Sequence, residues 1–90
     1  MTHKIKLNIN FCDVVLSGDK CFEVRRNDRG YQKGDLIKFI PWQGLSVGYS
    51  VPHELDHKTY EITYVLSGYA GIKDGYCVFG IKEVADGEDR

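Results

Sequence analysis

A chain of 90 residues has room for a single hydrophobic core, because a domain this short hides only about 60% of the surface that its unfolded chain exposes. With 42% hydrophobic and 28% charged residues it is too apolar for a disordered tail, and a net charge of −1 argues against a strongly basic, nonspecific nucleic-acid binder. No apolar run nears the ~20 residues of a membrane span, and the alternating start MTHKIKLNIN lacks the unbroken apolar stretch of a signal peptide, so a cytoplasmic, membrane-free setting is expected.

His3 to Asn8 alternates, Ile5 and Leu7 on one face and Lys4 and Lys6 on the other, which predicts a first strand. Asn8 or Asn10 can cap a short helix in which Ile9, Cys12, Val15 and Leu16 recur at helical spacing, and Ser17-Gly18 supplies a left-handed stop. Lys20 to Arg26 alternates again, placing Phe22 and Val24 on one face and Cys21, Glu23 and Arg25 on the other. The turn Asn27-Asp28-Arg29-Gly30 and a second turn at Lys33-Gly34-Asp35 lead into a third strand, Leu36 to Ile40, that ends near Pro41. Residues 41–57 hold no sustained period and are expected to form the longest irregular connection and the rim of a site. Thr59 to Leu66 reads as strand four and Tyr76 to Val84 as strand five, leaving residues 85–90 as a frayed acidic tail after a single domain over residues 1–84. Five strands and one early helix predict a mostly antiparallel α+β sheet, and closure into a small barrel would hide its edges.

Charge divides unevenly. Residues 1–38 carry eight Lys/Arg against five Asp/Glu, or +3, and residues 39–90 carry four against eight, or −4. A locally positive face on a near-neutral chain suits a small anionic ligand or a few phosphates better than a long duplex. Cys12, Cys21 and Cys77 form no CxxC pair and are odd in number, so reduced thiols packed as small hydrophobes are expected, with Cys21 beside Lys20 the one that invites a chemical role.

Residues 16–29 contain Gly18-x-Lys20-x-x-Glu23-x-Arg25, which resembles the GxKxxExR signature of ASCH domains. Thr2-His3 before the first strand, Asn27-Asp28-Arg29 after the second, Gly34-Asp35 before the third and Gly75-Tyr76 at the last extend the likeness. Together they resemble a bacterial and phage family of unknown function, related to ASCH and PUA-like domains, across nearly the whole chain except residues 41–57. The resemblance implies a PUA-like pseudo-β-barrel of five or six strands with one or two short helices, a cleft lined by the signature, and RNA binding. The residues agree with that expectation. Lys20 leaves the turn as a point charge able to meet a phosphate, Arg25 can donate two parallel bonds, and Glu23, on the same strand face, can orient Arg25 or accept from a base. Arg26, Arg29 and Lys33 form a phosphate-facing or solvated rim. Tyr31, Trp42, Tyr49, Tyr69 and Tyr76 offer stacking faces, Tyr76 being grouped with the ligand set, while core packing is the competing role for each.

Two other functions compete with this one. Some small ASCH proteins are amidohydrolases acting on acylated cytidine, with a Lys, a Thr and a Glu at the catalytic centre; Lys20 matches the lysine, but Glu23 stands where the nucleophilic Thr belongs, and Glu61 or Glu83 would have to supply the second carboxylate. A protein-interaction domain would instead show an exposed apolar patch. His53-Glu54-Leu55-Asp56-His57 matches HExxH, yet strand sequence follows at once and the third His of the extended motif falls on Thr63, so no metal is expected, even with Glu83 as a further donor. No cofactor is called for, and a monomer is expected.

Overall fold

The computed structural model describes residues 1–85, so of the expected tail only Ala85 falls among the described residues. Strand β1 (Thr2–Asn8) turns His3, Ile5 and Leu7 inward at every second position. At its end the Asn8 side chain accepts the Asn10 N–H at 2.8 Å, capping helix α1 (Ile9–Leu16) and satisfying one of the orphan donors of a helix start. Cys12 and Val15 are its buried residues. The helix ends where Ser17 N–H reaches Asp13 O at 3.0 Å and Gly18 takes φ +88°, a left-handed conformation costly for any residue with a Cβ. That turn sends the chain back as β2 (Phe22–Arg26).

Strands β3 (Leu36–Gly44), β4 (Gly48–Ser50), β5 (Tyr60–Ser67) and β6 (Tyr76–Glu83) complete a six-stranded sheet of order β1-β3-β5-β6-β2, with β4 folded back onto the end of β3. Only β1 and β3 run parallel, Ile5 opposite Phe39; every other pair is antiparallel. The result is the expected mostly antiparallel α+β arrangement. The sheet is not closed: β1 and β2 end the path and exchange no ladder bonds. They nevertheless face each other, because Arg25 of β2 donates from Nη2 to Lys6 O of β1 at 2.7 Å. Ile5, Leu7, Ile37, Phe39, Ile62, Phe79 and Ile81 of the sheet form one core with Cys12 and Val15 of α1 and with Leu55. Each such aliphatic or aromatic side chain contributes about 1.5–3 kcal/mol through burial.

Residues 41–57 are more ordered than their composition predicts. β3 runs on through Pro41, β4 takes residues 48–50, and Glu54–His57 is a single 3-10 turn. Pro41 is tolerated because the β5 ladder has left β3 after Ile37, while the proline's carbonyl accepts from Val51 N–H at 3.0 Å. The bend of Gly44 at φ +110° and the bare Cα of Gly48, where a Cβ would meet Gln43 O at 2.2 Å, make the tight β3–β4 hairpin. A register shift between Ile62 and Tyr64 bulges Thr63 out of β5.

β1 is tied to the start of β3 by a polar pair on opposite sides of the ladder. His3, only 5% exposed, meets Asp35 at 2.8 Å between Nε2 and Oδ2, and the His3 ring packs 4.8 Å from that of Tyr31. Burial works against the Asp35 carboxylate, but hydrogen bonds from His3, from the Gln32 N–H and from the chain's amino group outweigh it and hold its pKa below the usual value. Among the described residues no helix is long and apolar enough to cross a membrane.

Candidate functional site

The gap between β1 and β2 is the feature that the open sheet creates. β2 alternates as predicted, but its inward position belongs to a charge: Glu23 is 3% exposed, whereas Phe22 and Val24 are 46% and 57% exposed. Apolar alternation alone would have assigned the opposite facing. Glu23 is held from both sides. Its Oε2 accepts from Lys20 Nζ, and its Oε1 accepts from Arg25 Nε at 2.9 Å, with Nη2 paired ionically 2.8 Å from the same oxygen. Lys20 also donates to Phe22 O at 2.9 Å, which leaves one of its three N–H donors. Arg25 spends Nε and Nη2 on Glu23 and Lys6 O, so Nη1 is the edge it can offer to a ligand. The predicted trio thus comes together as a network in which Glu23 positions two cations.

The trio floors a cleft of about 400 Å³ between α1 and β2, walled by Lys6, Leu7 and Asn8 on the β1 side and by Phe11 and Phe22 at the mouth. The Lys20 ammonium lies 5.3 Å from the Phe11 ring and 5.1 Å from the Phe22 ring. Sequence reasoning passed over both phenylalanines, since Phe11 reads as an ordinary position of an amphipathic helix and Phe22 as a core residue of a strand. Their half exposure shows otherwise; Phe11 keeps 47% of its surface. Of the tyrosines and tryptophan considered for stacking, none lines this cleft: Tyr31 is buried, Trp42 lies under the Lys6 ammonium at 4.0 Å, and Tyr49 and Tyr69 stand in solvent.

A second cleft of about 430 Å³ continues the gap along the same two strands and shares Lys6 and Arg25 with the first. Arg26 and Arg29 line it, and Arg29 Nη1 donates to Lys4 O at 3.3 Å. Taken together, the two clefts gather Lys4, Lys6, Lys20, Arg25, Arg26 and Arg29 against Glu23 and Asp28. Six cations against two acids give +4 there, on a chain whose total is −1. Tyr76 stands outside both, its hydroxyl 3.4 Å from Arg26 Nη2 and its ring 5.2 Å from that guanidinium. Lys33 also lies outside them.

The groups that amide hydrolysis would require, Lys20 excepted, lie outside the first cleft. No Ser, Thr or Cys lines the first cleft. Cys21 is exposed, against the expectation that all three cysteines pack inside, and opens onto a neighbouring hollow that shares Lys20 with the first cleft and is lined also by Ser17 and Glu83. Glu83 pairs with Lys58 at 3.3 Å, and Glu61 sits opposite Lys82 in the β5–β6 ladder. Cys12 and Cys77 are buried, and burial is the main cause that pushes the Cys12 thiol up to about 11 and raises that of Cys77.

The HELDH segment has a local structural use. His53 caps the 3-10 turn, its Nδ1 accepting Leu55 N–H at 3.0 Å while its Nε2 meets Asp13 Oδ1 of α1 at 2.7 Å. Four residues of 3-10 helix do not present two imidazoles on one face as the zinc motif requires. No group of three metal-ligating side chains occurs among the described residues.

Over 50 residues, 54% of its length, the chain is 40% identical to the uncharacterized 12.9 kDa protein in the GpA 3' region of Escherichia phage P2. The aligned segment covers 46% of that relative, so the chain spans about half the length of the phage protein it matches. The family described as "Domain of unknown function (DUF3850)" matches residues 2–81, from the start of β1 into β6 and across both clefts. On that match, the chain belongs to this family of unknown function.

Proposed function

We propose that this protein is an RNA- or nucleotide-binding module that takes a base-like ring into the cleft between α1 and β2. The observation that carries the proposal is Glu23, a buried carboxylate clasped by two cations at the floor of an aromatic-mouthed opening. Replacing a buried ion network by apolar side chains is often neutral or stabilising, so stability alone gives weak reason for such a floor. A flat heterocycle gives a strong one: its faces need rings such as Phe11 and Phe22, and its polar edge needs fixed donors such as the remaining hydrogens of Lys20 and Arg25. The arrangement is consistent with a PUA-like pseudo-barrel of the ASCH type, open between its end strands, acting as a monomer in a reducing, cytoplasmic setting.

The test is a fluorescence titration against short single-stranded RNAs and free nucleotides at several salt concentrations. Phe22→Ala should cost about 1–3 kcal/mol of binding, the usual worth of one base–aromatic stack. Glu23→Gln should weaken binding by freeing Lys20 and Arg25 from their fixed positions. Absence of binding to every RNA and nucleotide at low salt would discard the proposal in favour of a protein-interaction role. Release of acetate from acetylcytidine, lost in Lys20→Ala, would replace it with the amidohydrolase reading.

A further inference from the structure

The two clefts differ in chemistry although they share a wall. The first has an aromatic mouth and a floor whose two cations are tied to Glu23; the second is lined by five Lys/Arg and one acid, Asp28, with no aromatic at its mouth. Resting on the base-binding reading above, we propose that the second cleft is a phosphate site, so that the ligand is a phosphorylated nucleotide with its base against Phe22 and its phosphate between Arg25, Arg29 and Tyr31.

Tyr31 carries the inference beyond charge alone. It is 6% exposed, lines the second cleft, and packs its ring 4.7 Å from Phe79 and 4.8 Å from His3. Its hydroxyl is not among the buried polar atoms left without a partner, so it reaches the solvent that fills the cleft. Burial raises the hydroxyl's pKa, while Arg25 and Arg29 pull it the other way, which places both guanidiniums within electrostatic reach. A hydroxyl that opens onto the cleft from a packed ring can donate to an external acceptor bound there. A phosphate oxygen is such an acceptor, and Arg29 adds donors beside it. Arg25 lines both clefts, so a phosphate on one side and a base on the other would be neighbours, as they are in a nucleotide.

Calorimetric titration of nucleosides, their 5′-monophosphates, inorganic phosphate and a single-stranded trinucleotide tests this. A monophosphate should bind at least roughly tenfold more tightly than its nucleoside, as expected for charge-assisted hydrogen bonds. Arg29→Ala should abolish most of that difference and leave nucleoside binding unchanged. Tyr31→Phe, which keeps the ring packing, should lower monophosphate affinity several-fold with an unchanged melting temperature. A trinucleotide that outbinds the monophosphate identifies the phosphate as part of a chain, and equal binding identifies it as a free nucleotide; both support the site. Binding of inorganic phosphate that Arg29→Ala removes, with no nucleoside binding at all, would keep the phosphate site and discard the base-binding reading. Equal affinity for nucleoside and monophosphate, a phosphate advantage that survives both substitutions, or no binding of phosphate or nucleotide at low salt would overturn the proposal.

Discussion

Glu23 and the three cysteines show how far residue identity determines environment. An acid between Phe22 and Val24 looks like a solvent-facing position, yet Glu23 is the one that the sheet buries, because Lys20 and Arg25 travel with it and occupy both of its oxygens. The cysteines are alike in type and differ in access: Cys12 and Cys77 are buried and Cys21 is exposed. Thiolate is the reactive form, and burial disfavours it at Cys12 and Cys77. Treatment of native protein with iodoacetamide at pH 8 should therefore modify Cys21 alone, with Cys12 and Cys77 reacting only after unfolding in denaturant. Peptide mass spectrometry reads the result, and native labelling of Cys12 would show that α1 does not pack as described.

At the scale of elements, the sequence was most informative where local chemistry decides the structure. β1, the Asn8 cap, the Gly18 stop and β5 and β6 follow from alternation, capping and glycine turns, and their observed bounds lie within two residues of those expected. What local pattern did not convey was non-local. β3 passes Pro41 because of where a neighbouring ladder ends, β4 is three residues long, and the inward face of β2 depends on the gap beside it. The same division holds for the site: Lys20, Glu23 and Arg25 were found through a spaced motif, whereas Phe11 and Phe22 needed the strand and helix to be placed side by side. The junction of β1 with β3 offers a pH test. Asp35 has a native pKa below its ordinary value of 3.8, so its contribution to stability is fully present above that value and is lost as pH falls through the native pKa. Melting temperatures of wild type and Asp35→Asn should differ at about pH 5 and converge under more acidic conditions. A gap that persists undiminished well below about pH 3 would contradict the lowered pKa of Asp35.

For the molecule as a whole, exposure separates two phenylalanines that register places close together. Phe79 is fully buried opposite Glu23, and Phe22 is half exposed one position away on β2. Phe79→Ala should cost roughly 3–5 kcal/mol in urea unfolding, a large share of the ~5–15 kcal/mol by which domains are stable, whereas Phe22→Ala should change stability little and act on ligand affinity. Equal destabilisation by the two would mean that Phe22 belongs to the core and not to the cleft. The ladder between β2 and β6 has a further consequence, in time. Lys20, Glu23 and Arg25 leave the ribosome early, but the strand that fixes them, Tyr76–Glu83, is made some fifty residues later, and Arg25 cannot bridge to β1 until it arrives. Until then the nascent chain carries a cationic, aromatic segment with no partner strand for β2 and so no defined cleft. The proposed site is thus assembled only after β6 is made, although Lys20, Glu23 and Arg25 are translated some fifty residues earlier.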